Sequence, residues 1–221
     1  MRQWQGKGVL FDLDGTLVDT AGDLHAVLNQ LLVQYQRPAV SLEQIIPIGS
    51  DGIYPLLDLA FEAPLSAENK QRLRAEFIAI YQQNPPRHSR LFSGIEEVLA
   101  AFNEHHIPWG IVTNKPTKLT LPLFAKYQVL KTAKTLVCGD TLGFKKPHPA
   151  PMHHARAALN IDQGNNILYV GDAKRDIDAG IRADMHTAIA AWGYIHATVN
   201  IQDWGAGHIL RAPTELLQLT I

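Results

Sequence analysis

Two aspartates, Asp12 and Asp14, end an apolar run near the start of the chain, in the stretch GVLFDLDGTLVDT at 8–20. The preceding residues 9–11 have the composition of a short buried strand. Because side chains two residues apart on a strand point to the same face, both carboxylates can face one point in space. Crowded carboxylates repel each other and resist desolvation, and a divalent cation would offset both effects. The spacing therefore predicts a metal site at the end of this strand.

Three further polar stretches follow apolar runs later in the chain, and they carry a hydroxyl, lysines and more acids. They are TNKP at 113–116, KKPHP at 145–149 and GDAKRD at 171–176. In an open α/β sheet the carboxyl ends of the strands lie along one edge, and ligands bind in the crevice there. We therefore expect these stretches to converge with Asp12 and Asp14 in one site.

This set of groups suits the transfer of a phosphoryl group. Asp12, deepest along the strand, is the predicted nucleophile, since a carboxylate can attack phosphorus and form an aspartyl-phosphate. Asp14 is the predicted acid and base, which protonates the departing alkoxide and then takes a proton from the hydrolytic water. Thr113 and Lys146 would bind and neutralise the phosphoryl oxygens. Asp12 and Asp172, with the backbone carbonyl of Asp14, would hold one Mg²⁺, which prefers oxygen ligands.

Each of these residues also has a purely structural interpretation. A bare DxDG sequence is consistent with a strand that runs into a turn, and Thr113 with an ordinary β-branched strand residue. Lys146, next to a proline, is typical of the surface, and Asp172 and Asp176 are consistent with a capping or solvated pair. The occurrence of all four stretches in this order, each after an apolar run, favours the catalytic interpretation.

The elements that must position these residues follow an α/β pattern. Apolar runs alternate with helical patterns, which predicts a doubly wound parallel sheet with helices on both faces. The predicted strands are 8–13, 107–114, 134–139, 166–172 and 186–191.

A wholly helical segment, residues 17–86, interrupts this alternation. The predicted helices are 21–36, 41–47, 52–62 and 66–83. We therefore expect an α/β catalytic core formed by residues 1–16 and 87–221, and an α-helical cap domain formed by residues 17–86. A helical insertion directly after the first strand would lie over the crevice where such sheets bind ligands.

Length, charge and cysteine content narrow the class of protein. The chain has 221 residues, is 46% hydrophobic and carries a formal net charge of −1, which allows a sizeable core and gives no signature of nucleic-acid binding. Its single cysteine, Cys138, excludes an intrachain disulfide and is typical of a reducing compartment. The N-terminus has no long apolar stretch, so we expect a cytoplasmic protein without a membrane or nucleic-acid partner. The sequence leaves monomer and dimer open.

The motifs DLDGTLVDT, IVTNKP, KKPHP and GDAKRD resemble the four motifs of the haloacid dehalogenase-like phosphatases. The resemblance covers essentially the whole chain, including the helical insertion. It implies a Mg²⁺-dependent phosphatase with Asp12 as the nucleophile and Asp14 as the acid and base. Thr113 and Lys146 are implied to hold the phosphoryl group, with Asn114 beside them in the substrate site. The dehalogenases of this superfamily lack the second aspartate, so Asp14 favours phosphate chemistry.

The same resemblance completes the predicted metal site. Asp172 is implied to be a metal ligand, and Asp176 is implied to lie in or behind the metal shell. Together with Asp12 and Asp14 they make up the predicted Mg²⁺ site.

The resemblance also points to a class of substrate. The stretches VTNKPT and KKPHP are similar to the phosphoglycolate phosphatase group, and HSRLFSGI, PWGIVTNKP and WGYIHATVNIQDWGA resemble bacterial N-acetylmuramic acid 6-phosphate phosphatases. The implied substrate is a small acidic phosphomonoester, either N-acetylmuramic acid 6-phosphate or 2-phosphoglycolate. A phosphosugar mutase of the same superfamily and a non-enzymatic, receiver-like phospho-aspartate signalling domain are the alternatives. A receiver domain would lack both the DGT sequence and the helical lid.

Residues that would recognise the leaving group are expected in and beside the cap. The turn IGSDG matches a loop that reaches the substrate in relatives, so Gly49, Ser50 and Asp51 are predicted to contact the leaving group. Arg87 and His88, at the return from cap to core, are predicted to bind the substrate carboxylate, because charged hydrogen bonds to carboxylates are strong. An ordinary interhelical turn and solvated hinge charges are the respective alternatives.

Overall fold

The computed structural model describes residues 6–61, 64–84 and 86–220. Its strands are β1 (Gly8–Phe11), β2 (Val18–Asp19), β3 (Arg90–Leu91), β4 (Trp109–Val112), β5 (Leu136–Val137), β6 (Ile167–Gly171), β7 (His186–Ala190) and β8 (His208–Leu210). Six of them form one parallel sheet in the order β5-β4-β1-β6-β7-β8. The predicted α/β doubly wound sheet is confirmed, and each predicted strand is present.

Helices cover both faces of this sheet and form the insertion after β1. They are α1 (Ala21–Gln34), α2 (Leu42–Ile45), α3 (Ile53–Phe61), α4 (Ala67–Gln83), α5 (Ile95–Glu104), α6 (Thr117–Lys126), α7 (Ala150–Ala158), α8 (Lys174–Arg182) and α9 (Glu215–Thr220). A 3₁₀ turn, Ile46–Asp51, links α2 to α3. In the described ranges, no helix combines the length and the apolar character that crossing a membrane requires.

The central strand β1 is buried on both faces, and its side chains alternate between two cores. Phe11 packs with Phe102 of α5 and Trp109 of β4, with ring centroids 6.2 Å apart in both pairs. Leu10 points to the opposite face and packs in a second cluster, which includes Tyr169 of β6. Burial on both sides fixes the strand firmly, so that the residues which follow it occupy a defined position at the sheet edge.

The helical insertion has a hydrophobic cluster of its own. Residues from α1, α2, α3 and α4 form it, among them Leu28, Leu57 and Phe77. Leu119 of α6 joins the cluster from the core side. Ser66 caps α4 by accepting a hydrogen bond from the backbone N–H of Asn69 at 3.2 Å. This separate cluster supports the proposed division into a core and a cap. Leu17 and Val18, however, pack in the core cluster, and Val18–Asp19 form β2, so the helical part of the insertion begins after this strand.

The return from the cap to the core is held by one buried carboxylate. Asp23, in the first turn of α1, accepts hydrogen bonds from the backbone N–H groups of Arg87, His88 and Ser89 at 3.0, 2.8 and 2.9 Å. The hydroxyl of Ser89 also donates to Asp23. Beside this clasp, β2 and β3 pair in antiparallel register. Both chain crossings between the cap and the core are therefore fixed by hydrogen bonds.

We expect Asp23→Ala to lower the free energy of unfolding by about 2–3 kcal/mol, because it removes a charged acceptor and leaves buried donors on Ser89 unpaired. Denaturant titration followed by circular dichroism measures the change. The control is Asp58→Ala, which removes an exposed cap acid paired with Lys70 and should cost less than about 1 kcal/mol. Equal effects of the two substitutions would contradict the role of the clasp.

Candidate active site

The four polar stretches meet at the carboxyl ends of β1, β4 and β6, as the topology predicts. A cavity of about 220 Å³ opens there, and the predicted residues Asp12, Asp14, Thr113, Asn114 and Lys146 line its core side. Its other side is formed by the cap. The predicted site residues of the core are thus brought together in one place.

Three buried carboxylates form a cluster at the floor of this site. Asp12, Asp172 and Asp176 each offer an oxygen, and these oxygens lie within 4.8 Å of one another. Burial, with the negative charges of the other two acids, raises the pKa of Asp172 to about 8. Burial also raises the pKa of Asp12 to about 6, although the Lys146 ammonium opposes the shift. The cluster therefore holds more negative charge than its surroundings neutralise.

The oxygen atoms of this cluster fit a hard divalent cation. Asp12 Oδ1 is buried and has no hydrogen-bond partner among the described residues, although Lys146 Nζ approaches it to 2.8 Å. The hydrogen bonds of that ammonium go to the carbonyl of Val112 and the hydroxyl of Tyr169, each at 2.8 Å. Carboxylate oxygens of Asp12, Asp172 and Asp176 gathered in this way belong to the donor type that Mg²⁺ prefers.

Asp176 is the member of this cluster whose two carboxylate oxygens both have partners. Its Oδ1 is 2.7 Å from Lys146 Nζ, and its Oδ2 accepts the backbone N–H of Ala173 at 3.0 Å. Because both of its oxygens have partners, Asp176 holds Lys146 in position more directly than it faces the cavity. Of the two positions that the sequence left open for Asp176, this geometry favours the one behind the metal ligands over direct binding of the metal.

Lys146 is enclosed by its partners. Burial alone would lower the pKa of its ammonium, but the carboxylates of Asp12 and Asp176 outweigh burial and raise it. Asn114 clamps the backbone of Lys146, since its amide donates to the carbonyl at 3.0 Å and accepts the N–H at 2.9 Å. The side chain of Asn114 therefore positions Lys146, and its contact with the substrate stays a prediction.

The carboxylate of Asp14 has a cationic partner that sequence reasoning missed. Lys115 Nζ lies 2.8 Å from Asp14 Oδ1, and the hydroxyl of Thr20 donates to the same oxygen at 2.5 Å. Burial would lower the pKa of Lys115, but Asp14 and Tyr81 raise it above its ordinary value. The Tyr81 ring lies 5.0 Å from this ammonium. Lys115 therefore links Asp14, the predicted acid and base, to helix α4 of the cap.

The predicted cap loop reaches the acidic cluster. Ser50 Oγ lies 2.8 Å from Asp172 Oδ2 and 2.9 Å from the backbone carbonyl oxygen of Asp14, and its single proton can be donated to either. Asp51 forms an ion pair with Arg175 at the start of α8, and Arg175 also donates to the carbonyl of Ser50. Gly49 lines the cavity with them. The structure thus brings all three predicted loop residues to the site.

Arg87 and His88 lie elsewhere. They line a separate cavity of about 120 Å³ together with Asp23 and Tyr81. The hydrogen bonds from their backbone N–H groups to Asp23 hold them on one face of α1, whereas Leu24 on another face lines the active cavity. This geometry does not support their predicted role in binding the substrate carboxylate, and we correct that expectation.

Two residues near the site, Tyr194 and Gly15, hold or accommodate the carboxylate of Asp172. Tyr194 donates its backbone N–H to Asp172 at 2.9 Å, and its hydroxyl accepts the N–H groups of Thr20 and Ala21 at 2.6 and 2.8 Å. One tyrosine thereby joins the acidic cluster to the start of the cap. Gly15 has φ 79°, and a Cβ there would lie 2.1 Å from Asp172 Oδ2, so the close approach of this turn requires glycine.

Comparison with known proteins shows similarity over the core and the cap alike. The family model described as haloacid dehalogenase-like hydrolase matches residues 9–190. An N-acetylmuramic acid 6-phosphate phosphatase from Pseudomonas putida is 37% identical over 210 residues, which cover 95% of this chain and 94% of the relative. A phosphoglycolate phosphatase from Xanthomonas campestris is 35% identical over 210 residues, with 95% and 94% covered. The crystal structure of a predicted phosphoglycolate phosphatase from Haemophilus somnus matches with a TM-score of 0.86 at 27% identity, over 97% of this chain and 98% of that chain.

The raised pKa of Asp172 predicts how pH affects the stability of the metal-free protein. Between about pH 4 and pH 8 the unfolded chain loses the Asp172 proton while the folded chain keeps it, so the contribution of Asp172 to stability falls as pH rises. In EDTA, the melting temperature of Asp172→Asn should therefore exceed that of the wild type by a margin that grows from pH 5 to pH 9.

The same melting temperatures are then measured with Mg²⁺ in place of EDTA. Mg²⁺ should raise the melting temperature of the wild type more at pH 8 than at pH 6, because a ligand must be deprotonated to bind, and should have little effect on the variant. Asp162→Asn, a change at an exposed loop acid, is the control and should follow the wild type. A margin that does not change with pH would contradict the prediction.

Proposed function

This chain belongs to the haloacid dehalogenase-like hydrolase family and is a phosphatase, and we propose that it hydrolyses a small acidic phosphomonoester through an aspartyl-phosphate intermediate. The observation that carries the proposal is the position of Asp12. Its carboxylate faces a cap-covered cavity, and its Oδ1 is held in an ion pair 2.8 Å from the ammonium of Lys146.

The proposed reaction begins with attack of an Asp12 oxygen on phosphorus. The new bond between phosphorus and Asp12 forms as the bond to the leaving-group oxygen breaks, and Asp14 donates a proton to that oxygen. Asp14 then takes a proton from a water molecule, which attacks phosphorus and releases the Asp12 carboxylate and inorganic phosphate. Lys146 and the Thr113 hydroxyl stabilise the charge on the phosphoryl oxygens throughout.

We propose that Asp12 and Asp172 hold Mg²⁺ together with the backbone carbonyl of Asp14. When bound, the ion supplies positive charge that stabilises phosphoryl oxygens and keeps neighbouring carboxylates ionised. Asp176 contributes by holding Lys146 at the edge of the cluster. The hydroxyl of Ser50, which contacts Asp172 and the carbonyl of Asp14, closes the cap side of the same region.

Two features support N-acetylmuramic acid 6-phosphate over 2-phosphoglycolate as the substrate. The first is the name of the relative from Pseudomonas putida, which is 37% identical to this chain. The second is the cap side of the cavity, where Leu24, Ile53 and Tyr54 present an apolar wall. A sugar acid has methyl groups that would pack on such a wall, whereas glycolate has a single methylene group.

We expect purified enzyme with Mg²⁺ to release phosphate from N-acetylmuramic acid 6-phosphate with a kcat/KM at least about tenfold above that for 2-phosphoglycolate. The reason is that only the sugar acid has methyl groups that pack on the apolar wall. A malachite green assay over a panel of small phosphomonoesters measures the rates. EDTA should abolish the activity and Mg²⁺ should restore it. A stable phosphoprotein without continued phosphate release, or isomerised sugar phosphate in place of free phosphate, would contradict the proposal.

Asp12→Asn should lower kcat by more than about 10³-fold, since an amide cannot take the place of the attacking carboxylate. Circular dichroism should show an unchanged fold. Asp162→Asn is the matched control and should keep wild-type activity. Wild-type enzyme quenched during turnover of ³²P-labelled substrate should carry acid-stable label, and the Asp12→Asn variant should carry none. Substantial activity in that variant would remove Asp12 from the nucleophile role.

A further inference from the structure

The cationic side chains of the cavity differ in whether they already have a partner. Five lysine or arginine residues line it: Arg74, Lys115, Lys145, Lys146 and Arg175. Three of these form ion pairs with cavity acids, Lys115 with Asp14, Lys146 with Asp12 and Arg175 with Asp51. Arg74 and Lys145 have no carboxylate within 4 Å among the described residues. Within the ranges that the structure describes, two positive charges therefore face the cavity without an ion pair.

The packing of the cap helices directs Arg74 towards the cavity. Lys70 of α4 pairs with Asp58 of the neighbouring helix α3 at 2.7 Å. One turn further along α4 comes Arg74, and one turn back along α3 comes Tyr54, and both line the cavity. The spacing of 3.6 residues per turn thus places Arg74 beside Tyr54, at the cap end of the site.

Arg74 also lacks a partner on its own helix. The residues three and four positions away are Lys70, Gln71, Phe77 and Ile78, none of which is acidic. Arg72, by contrast, lies 3.3 Å from Glu76 one turn on. A half-buried guanidinium without a carboxylate is poorly compensated in the protein itself. An anionic group on the ligand would supply the missing partner.

We propose that Arg74 is a specificity-determining residue that binds the carboxylate of the leaving group. The inference rests on the proposed function, which places the phosphoryl group at Asp12 and Lys146 and so leaves the other end of the substrate on the cap side. The planar guanidinium can donate two parallel hydrogen bonds to a carboxylate. The phosphate of a neutral sugar offers no such carboxylate at the other end of the molecule. The enzyme would thereby prefer phosphomonoesters that carry a carboxylate away from the phosphate.

Arg74 suits this role better than the other uncompensated cation. Lys145 is exposed on the core loop, where water screens its charge and weakens any ion pair. Asp51 faces the same cavity and would repel a carboxylate, but Arg175 neutralises it. The half-buried position of Arg74 therefore offers the stronger contact.

The experiment compares N-acetylmuramic acid 6-phosphate with N-acetylglucosamine 6-phosphate, which lacks the lactyl carboxylate, and includes p-nitrophenyl phosphate as a general substrate. Arg74→Met should lower kcat/KM for the acidic sugar about 10–100-fold, mainly through KM, since it removes a charged hydrogen-bond partner. It should change the rate with the neutral sugar by less than about threefold. Arg74→Lys should recover part of the preference, because it keeps the charge without the planar fork. Arg72→Met, on the outer side of the same helix, is the control and should behave as wild type.

The other outcomes overturn the inference in distinguishable ways. An equal loss with both sugars would make Arg74 a structural residue, and a loss of preference in Lys145→Met alone would assign the carboxylate to Lys145. Wild-type turnover of p-nitrophenyl phosphate without any preference for the acidic sugar would refute the inference and leave the phosphatase function intact. Absence of phosphate release from all three substrates would refute the proposed function, and the role of Arg74 with it.

Discussion

The crowding of three carboxylates at one buried sheet edge is the constraint on which the rest of the site depends. Asp12, Asp172 and Asp176 are held together by strands and turns that are themselves fully buried, so they cannot separate to relieve repulsion. The ammonium of Lys146 offsets part of this negative charge. Hydrogen-bond donors from Thr16, Ser50 and Tyr194 stabilise the carboxylate of Asp172. These contacts reduce the excess negative charge without removing it. A site of this kind suits a divalent cation, whose charge would offset the remaining repulsion.

The same hydrogen bonds connect the chemistry to the cap. Ser50 comes from the cap loop and contacts Asp172, while Tyr194 comes from the core and holds the start of α1. Lys115 lies between Asp14 and the Tyr81 ring of α4. A change in the position of the cap must therefore change the surroundings of both Asp14 and Asp172. The groups proposed for acid–base chemistry and for metal binding are complete only when the cap lies over the core.

The sequence predicted the parts of this structure that local patterns determine. Continuous apolar runs identified the buried strands, and strand order brought the four motifs together. The pattern did not predict β3 and β8, and the expectation of a wholly helical segment at 17–86 was wrong at β2. These strands are only two or three residues long and carry too few positions for a periodicity. Lys115 was passed over because a lysine between an asparagine and a proline resembles a surface residue until its partner, 101 positions away, is known. Arg87 was misplaced because its direction depends on the clasp at Asp23, a contact between distant segments.

The charged residues of the core and of the cap differ in whether they have partners within the protein, and this difference affects how substrate specificity can vary. In the core, Lys146 and Lys115 pair with acids that the proposed reaction needs, so replacing either lysine would disturb the chemistry itself. In the cap, Arg74 has no acidic partner within the described residues and supports no other side chain by an ion pair. Its replacement would alter the affinity for one end of the ligand while Asp12 and its neighbours keep their positions. An insertion with its own hydrophobic cluster can therefore change substrate preference at single positions such as Arg74, because folding of the catalytic edge does not depend on them.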